Sequence, residues 1–183
     1  MAKKKIEYTD EQLREILLKK AKDIHNQPIE HAYTIEQDGI PYKCPAGTDG
    51  TVDIPEEKAK TAIIILHNHP HEFKEPSTFS GKDVYNLLYY RLNEIIVCSY
   101  GKYFSMKNAG CPLLSSQVMN LLDKEYKRLN RILYKKYVET AENTPAGIAA
   151  NYKKYLTELE REYAKYMKQF ALEKNLMYFE GEL

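Results

Sequence analysis

A run of apolar and β-branched residues, Thr61-Ala62-Ile63-Ile64-Ile65-Leu66, leads straight into His67-Asn68-His69-Pro70. The run is too short for an ordinary helix and too uniformly apolar for a strand with one wet face. It predicts a central strand buried on both sides, the mark of an α/β sheet. Pro70 has no amide hydrogen to give to a ladder, so pairing is expected to stop there. In extended backbone, alternate side chains point the same way, so His67 and His69 face one point in space at an open strand end.

The flanking sequence builds the rest of such a domain. Residues 9–25 predict an amphipathic helix, with a Thr9/Gln12 capping box and a stripe of Leu13, Ile16, Leu17, Ala21 and Ile24. A hairpin is expected over 30–44, turning at Asp38-Gly39, then loop to Pro55 with a short strand near Val52. Loop 71–79, a helix over 80–93 and strands over 94–99 and 102–107 follow, the last two joined at Tyr100-Gly101. Beyond Gly110-Cys111-Pro112 the pattern turns wholly helical. Two long helices broken at Pro145-Ala146-Gly147 are expected, with a heptad-like seam of Tyr152, Leu156, Leu159, Tyr163, Tyr166 and Phe170. The expected organisation is a core over 1–112 and a helical hairpin extension over 113–183.

Composition narrows the functional classes. The 183 residues carry 27 basic and 26 acidic side chains, which disfavours a dedicated nucleic-acid binder. No apolar run reaches the length that spans a bilayer. The start, Met-Ala-Lys-Lys-Lys, leads into no apolar signal core, so Lys3–Lys5 read as a solvated tail and the expected location is cytoplasmic. Cys44, Cys98 and Cys111 show no CxxC spacing and read as ordinary thiols.

Two histidines at a strand end call for a third donor. Asp83, in the first turn of the following helix, points back toward them. Two neutral imidazoles and one carboxylate leave a fourth tetrahedral position open, the arrangement of a catalytic zinc. A carboxylate must then move the proton of the activated water. Glu30, at the head of the hairpin, is the first candidate for this base, and Glu36 is the second.

Glu30, His67-Asn68-His69-Pro70 and Ser80-Gly81-Lys82-Asp83 together resemble the signature of the JAMM (JAB/MPN-like) metalloproteases, a glutamate followed by H-x-H-P and S-x-x-D. The H-N-H-P form and Phe79-Ser80-Gly81-Lys82-Asp83-Val84 look most like bacterial RadC-like and phage-associated members. The resemblance covers about residues 28–109. It implies Zn2+ held by His67, His69 and Asp83, with Glu30 as general base and Ser80 helping to hold the oxyanion. It also implies a mixed, mostly antiparallel sheet flanked by helices, in a cytidine-deaminase-like architecture. Loop 71–79 is longer than the family's common form, and an ungapped alignment would instead set Ser77 and Ser80 at the serine and aspartate positions.

Each residue also has a plainer reading. Ser80 and Asp83 fit a helix N-cap, which is compatible with the metal role. His25 suits a helix C-terminus, His31 a structural or surface place, and His71 the loop surface. The seam reads first as helix packing. Three letters in a row, His-Asn-His, do not make an HNH nuclease, whose residues are spread over a ββα unit. The leading expectation is a zinc peptidase or isopeptidase acting on a protein or peptide. The alternative is a catalytically silent interaction protein on the same scaffold, phage- or toxin-associated, binding a partner or itself through 113–171. A DNA-related role rests on the RadC analogy alone.

Overall fold

The computed structural model describes residues 8–71, 73, 75–139 and 144–183; the Lys3–Lys5 tail lies outside them. Helix α1 spans Asp10–Ile24, strands β1 and β2 Ala32–Ile35 and Pro41–Lys43, and a short α2 Glu56–Thr61. Strand β3 is Ile64–Asn68, α3 Gly81–Tyr89, β4 Glu94–Ser99 and β5 Lys102–Asn108. Helix α4 (Ser115–Tyr134) runs into a π-helical turn, Lys135–Glu139; α5 (Pro145–Glu173) and β6 (Leu176–Glu182) complete the order. The fold is α/β, with a mixed six-stranded sheet ordered β2-β1-β3-β4-β5-β6 and helices packed on it. Among the described strands only β3 and β4 pair in parallel.

Every residue of β3 and β4 is buried, as an apolar central pair requires. Ile64, Leu66, Ile96 and Cys98 meet Leu17, Ala21 and Ile24 of α1 on one face. Ile65, Ile95 and Val97 meet Val84 and Leu87 of α3 on the other, together with Val118, Leu122, Met167 and Phe170 of the C-terminal helices. The α1 capping box forms as expected. So does the Tyr100-Gly101 turn, whose φ angles of 41° and 87° match the positive-φ pair that joins a tight hairpin.

Four elements differ from the sequence reading, each for a local reason. The central strand begins at Ile64, not Thr61, and includes His67 and Asn68, because β4 pairs with both. Residues 56–61, of which the sequence reading assigns only Thr61 and that to the strand, form α2; Ala59 is its one buried residue, so no apolar stripe announces it. No strand forms near Val52. Helix α3 stops at Tyr89 because Arg91 takes a left-handed φ of 55°, closed by a Leu92 N–H to Leu87 carbonyl bond of 3.0 Å.

The C-terminal segment departs most. The helical hairpin over 113–183 holds for α4 and α5, but 176–182 return to the sheet as β6, antiparallel to β5 from Leu176↔Asn108 to Glu182↔Lys102. Asn175, at φ 55°, makes the turn that sends the chain back. The base of the hairpin shares the main core, while Leu133, Tyr155 and Leu159 form a smaller cluster farther along it. The seam is shifted: Tyr155, Leu159, Tyr163, Met167 and Phe170 are its buried members, and Tyr152 is exposed. No helix among the described residues is long and apolar enough to cross a membrane. The three cysteines are free.

Shared burial predicts shared unfolding. Leu122→Ala or Met167→Ala should each cost about 2–5 kcal/mol, the range for deleting a fully buried aliphatic side chain. Both should shift a single denaturation transition read by circular dichroism. Two separate transitions would show instead that the arm folds independently of the sheet.

Candidate metal centre

Antiparallel register aligns the site before any side chain is considered. Ala32 lies opposite His67 and Ile35 opposite Ile64. Continuing past Ala32 carries Glu30 toward His69, and the Asn68 amide donates to the His31 carbonyl at 3.2 Å along that path. The same register sends Glu36 to the far end of β1. There it pairs with Lys58 at 2.9 Å and accepts from the Thr61 hydroxyl at 2.9 Å. Glu36 therefore stands away from the histidines, and of the two glutamates only Glu30 lines their cleft.

The parallel step from β3 to β4 needs a crossover helix, and α3 runs back from the end of β3. Its first turn therefore lies beside the histidines. Ser80 is the N-cap and Asp83 the third helical residue, joined in a reciprocal capping box. The Ser80 N–H and hydroxyl both donate to Asp83 Oδ2 at 2.7 Å, and the Asp83 N–H returns a bond to Ser80 Oγ at 3.2 Å. Two donors on Oδ2 leave Oδ1 as the freer oxygen of a buried carboxylate.

Three side chains converge here. His67 Nε2 is 3.0 Å from His69 Nε2 and 3.0 Å from Asp83 Oδ1, and His69 Nε2 is 3.3 Å from Asp83 Oδ2. Around a four-coordinate ion with bonds of about 2.0–2.2 Å, ligand atoms stand about 3.3 Å apart. The observed spacings are close to that. His69 donates from Nδ1 to the Thr78 carbonyl at 2.8 Å, which leaves its Nε2 lone pair facing the cluster. His67 Nδ1 is buried without a partner. A buried His-His-Asp group at these distances is compatible with a metal ion.

Electrostatics points the same way. Burial alone would favour a neutral Asp83, but His67 and His69 reverse this and hold its carboxyl well below the usual range. Burial likewise opposes the His69 imidazolium, yet Asp83 and then Glu30 outweigh it and raise its pKa. Glu30 is raised chiefly by its own burial, partly offset by the two histidines. Glu30, His67, His69, Ser80, Lys82 and Asp83 line one cleft of about 250 Å³.

Glu30, His67, His69, Ser80 and Asp83 meet in this cleft, and Asp83, not Ser80, is the third donor beside the histidines. Ser80 itself is exposed, with its hydroxyl hydrogen engaged by Asp83. His71 lies outside the cluster, its N–H donating to the Tyr100 hydroxyl at 3.3 Å. His25 ends α1 as expected, its Nδ1 accepting from the Gly101 N–H at 2.9 Å.

Sequence reasoning passed over Asn68. Its side chain falls on the opposite side of β3 from the histidines, as the period of two requires. It accepts from the His31 N–H at 2.6 Å and donates to the Ile29 carbonyl at 3.0 Å, clamping the backbone on both sides of Glu30. Gly81 was passed over too. A Cβ there would sit 2.5 Å from Asp123 Oδ1 and 3.3 Å from the Met119 carbonyl oxygen, so a larger residue would turn the Asp123 side chain aside.

No protein-family model matches the chain, and no curated protein is significantly similar to it.

Asp83→Ala should abolish tight binding of a transition-metal ion, read by metal analysis of the purified protein. Asn68→Ala should keep the ion but accelerate amide hydrogen exchange at His31; unchanged exchange would remove Asn68 as the clamp. Metal affinity should fall with falling pH, because the ion displaces the proton that His69 holds. The raised His69 pKa makes that loss begin at a higher pH than for an ordinary histidine. Calorimetric titration across pH 5–8 would measure it.

Proposed function

We propose that the protein is a zinc-dependent hydrolase of an amide bond, a peptidase or isopeptidase of the JAMM type. One observation carries the reading: His67 Nε2, His69 Nε2 and the Asp83 carboxylate converge within 3.0–3.3 Å at a cleft that Glu30 also lines. Two imidazoles and a carboxylate suit zinc better than the hard cations, and three protein donors leave one position for water or substrate. When bound, zinc supplies Lewis acidity for the amide carbonyl and lowers the pKa of a water to about 7.

The chain's own residues do the remaining work. Thr78 fixes the ring of His69, and the Ser80 cap fixes the carboxylate of Asp83. Glu30 takes the proton of the attacking water and passes it to the leaving nitrogen. Burial raises its pKa from the ordinary glutamate value, which makes it a better proton acceptor than an exposed glutamate. Ser80 lines the cleft, and its hydroxyl can swing from Asp83 toward a developing oxyanion. The Ser80 N–H still holds Asp83 Oδ2 at 2.7 Å, so the cap survives that rotation.

Glu30→Gln keeps the shape and removes the base. The variant should retain stoichiometric zinc, while cleavage of a peptide library falls by about 10²–10⁴. Equal turnover by the zinc-loaded variant and the parent protein would take Glu30 out of the mechanism.

A further inference from the structure

Behind His69 and Ser80, on the side away from Glu30, lies a second crevice, of about 200 Å³, between the site loop and the C-terminal hairpin. Its hairpin side is built by Asp123 and Tyr126 of α4 and by Glu160 and Tyr163 of α5. It shares His69, Ser77 and Ser80, and no other lining residue, with the Glu30 cleft. A chain lying extended across the triad therefore reaches both spaces.

The crevice is acidic and its charge is unbalanced. No lysine or arginine among the described residues lines it. Among the described residues neither Asp123 nor Glu160 forms an ion pair. Glu160 accepts one bond, from the Ser77 hydroxyl at 2.8 Å. The Asp123 carboxylate lies against Gly81, at 2.5 Å from where a Cβ would stand.

An independent observation comes from Tyr163. The residue is 4% exposed, yet none of the described hydrogen bonds uses its hydroxyl. Burial first, and then the charges of Asp123, Asp83 and Glu160, raise its pKa. The ring is buried while the residue lines the crevice, so its hydroxyl is open to a donor arriving there. The edge-on Tyr126–Tyr163 pair, with centroids 5.1 Å apart, adds ring surface for an aliphatic stem and a cationic head.

We infer that this crevice is the subsite for a cationic side chain, a lysine or arginine of the substrate next to the scissile amide. The inference rests on the hydrolase reading for the word substrate, but not for the binding itself. Asp123 and Glu160 neutralise the charge, and the Tyr163 oxygen accepts one of its N–H bonds. The specificity residues thus belong to the helical arm, outside the segment that carries the metal motif.

The test compares Ac-Ala-Ala-Lys-Ala-Ala-amide with its norleucine counterpart, equal in length and uncharged, on the zinc-loaded full chain. Calorimetry should give at least about tenfold tighter binding of the lysine peptide, in the range of one charge-assisted contact. The lysine-to-norleucine ratio should fall to about one in Asp123→Asn/Glu160→Gln and drop partway in Tyr163→Phe, with zinc content and thermal midpoint held. Equal binding of the two peptides by the parent protein would overturn the subsite. So would a second equivalent of zinc that is lost in the double variant, which would make the crevice a cation site. Lysine preference in binding, with no cleavage of any peptide, would support the subsite and overturn the hydrolase. Cleavage indifferent to lysine would do the reverse.

Discussion

The parallel pairing of β3 with β4 governs this molecule. Two antiparallel strands close with a hairpin, but a parallel pair must be joined by a crossover that carries the chain back to the starting edge. Helix α3 is that crossover, so its first turn lies where β3 ends. Every donor of the site follows from this. The strand delivers His67 and His69 on one side, and the returning helix delivers Asp83 within 3.3 Å of them. Antiparallel β1, in fixed register on the other flank of β3, supplies Glu30. Ligands of open α/β sheets gather at the carboxyl ends of strands for the same reason.

The long loop between His69 and α3 is held from several directions. Ser99 of β4 donates to the His69 carbonyl at 2.8 Å and accepts from the Ser77 N–H at 3.2 Å. Glu160 of α5 holds the Ser77 hydroxyl, Tyr178 of β6 meets the Thr78 hydroxyl at 3.2 Å, and Phe73 lies edge-on to Tyr152. Thr78 in turn fixes His69. The C-terminal helices and strand thereby provide much of what holds this loop and, through Thr78, the ring of His69.

Much of this was legible in the residues. The apolar run and its histidines announced the central strand and the shared face, and S-x-x-D announced both the cap and the third donor. What escaped notice depends on contacts distant in sequence. Asn68 looked like a spacer because its partners, at 29 and 31, lie across a strand pair. Gly81 looked like a variable position until α4 was in place. Strand β6 was hidden because its side chains show no clean alternation: Leu176 is buried, while Met177 and Phe179 are exposed at the open edge. Asn175, a residue tolerant of the left-handed region, was the one local sign of the turn before it. Between Glu30 and Glu36, composition offers no choice; register does.

The ties from the site loop to the helical arm span long stretches of chain: 83 residues from Ser77 to Glu160, and 100 from Thr78 to Tyr178. On a ribosome adding about 5–20 residues per second, the histidines wait about 5–20 s for those contacts to emerge. During that interval β5 has no β6 beside it and the loop lacks its outer anchors. His67, His69 and Asp83 are thus translated well before the contacts that hold the loop between them.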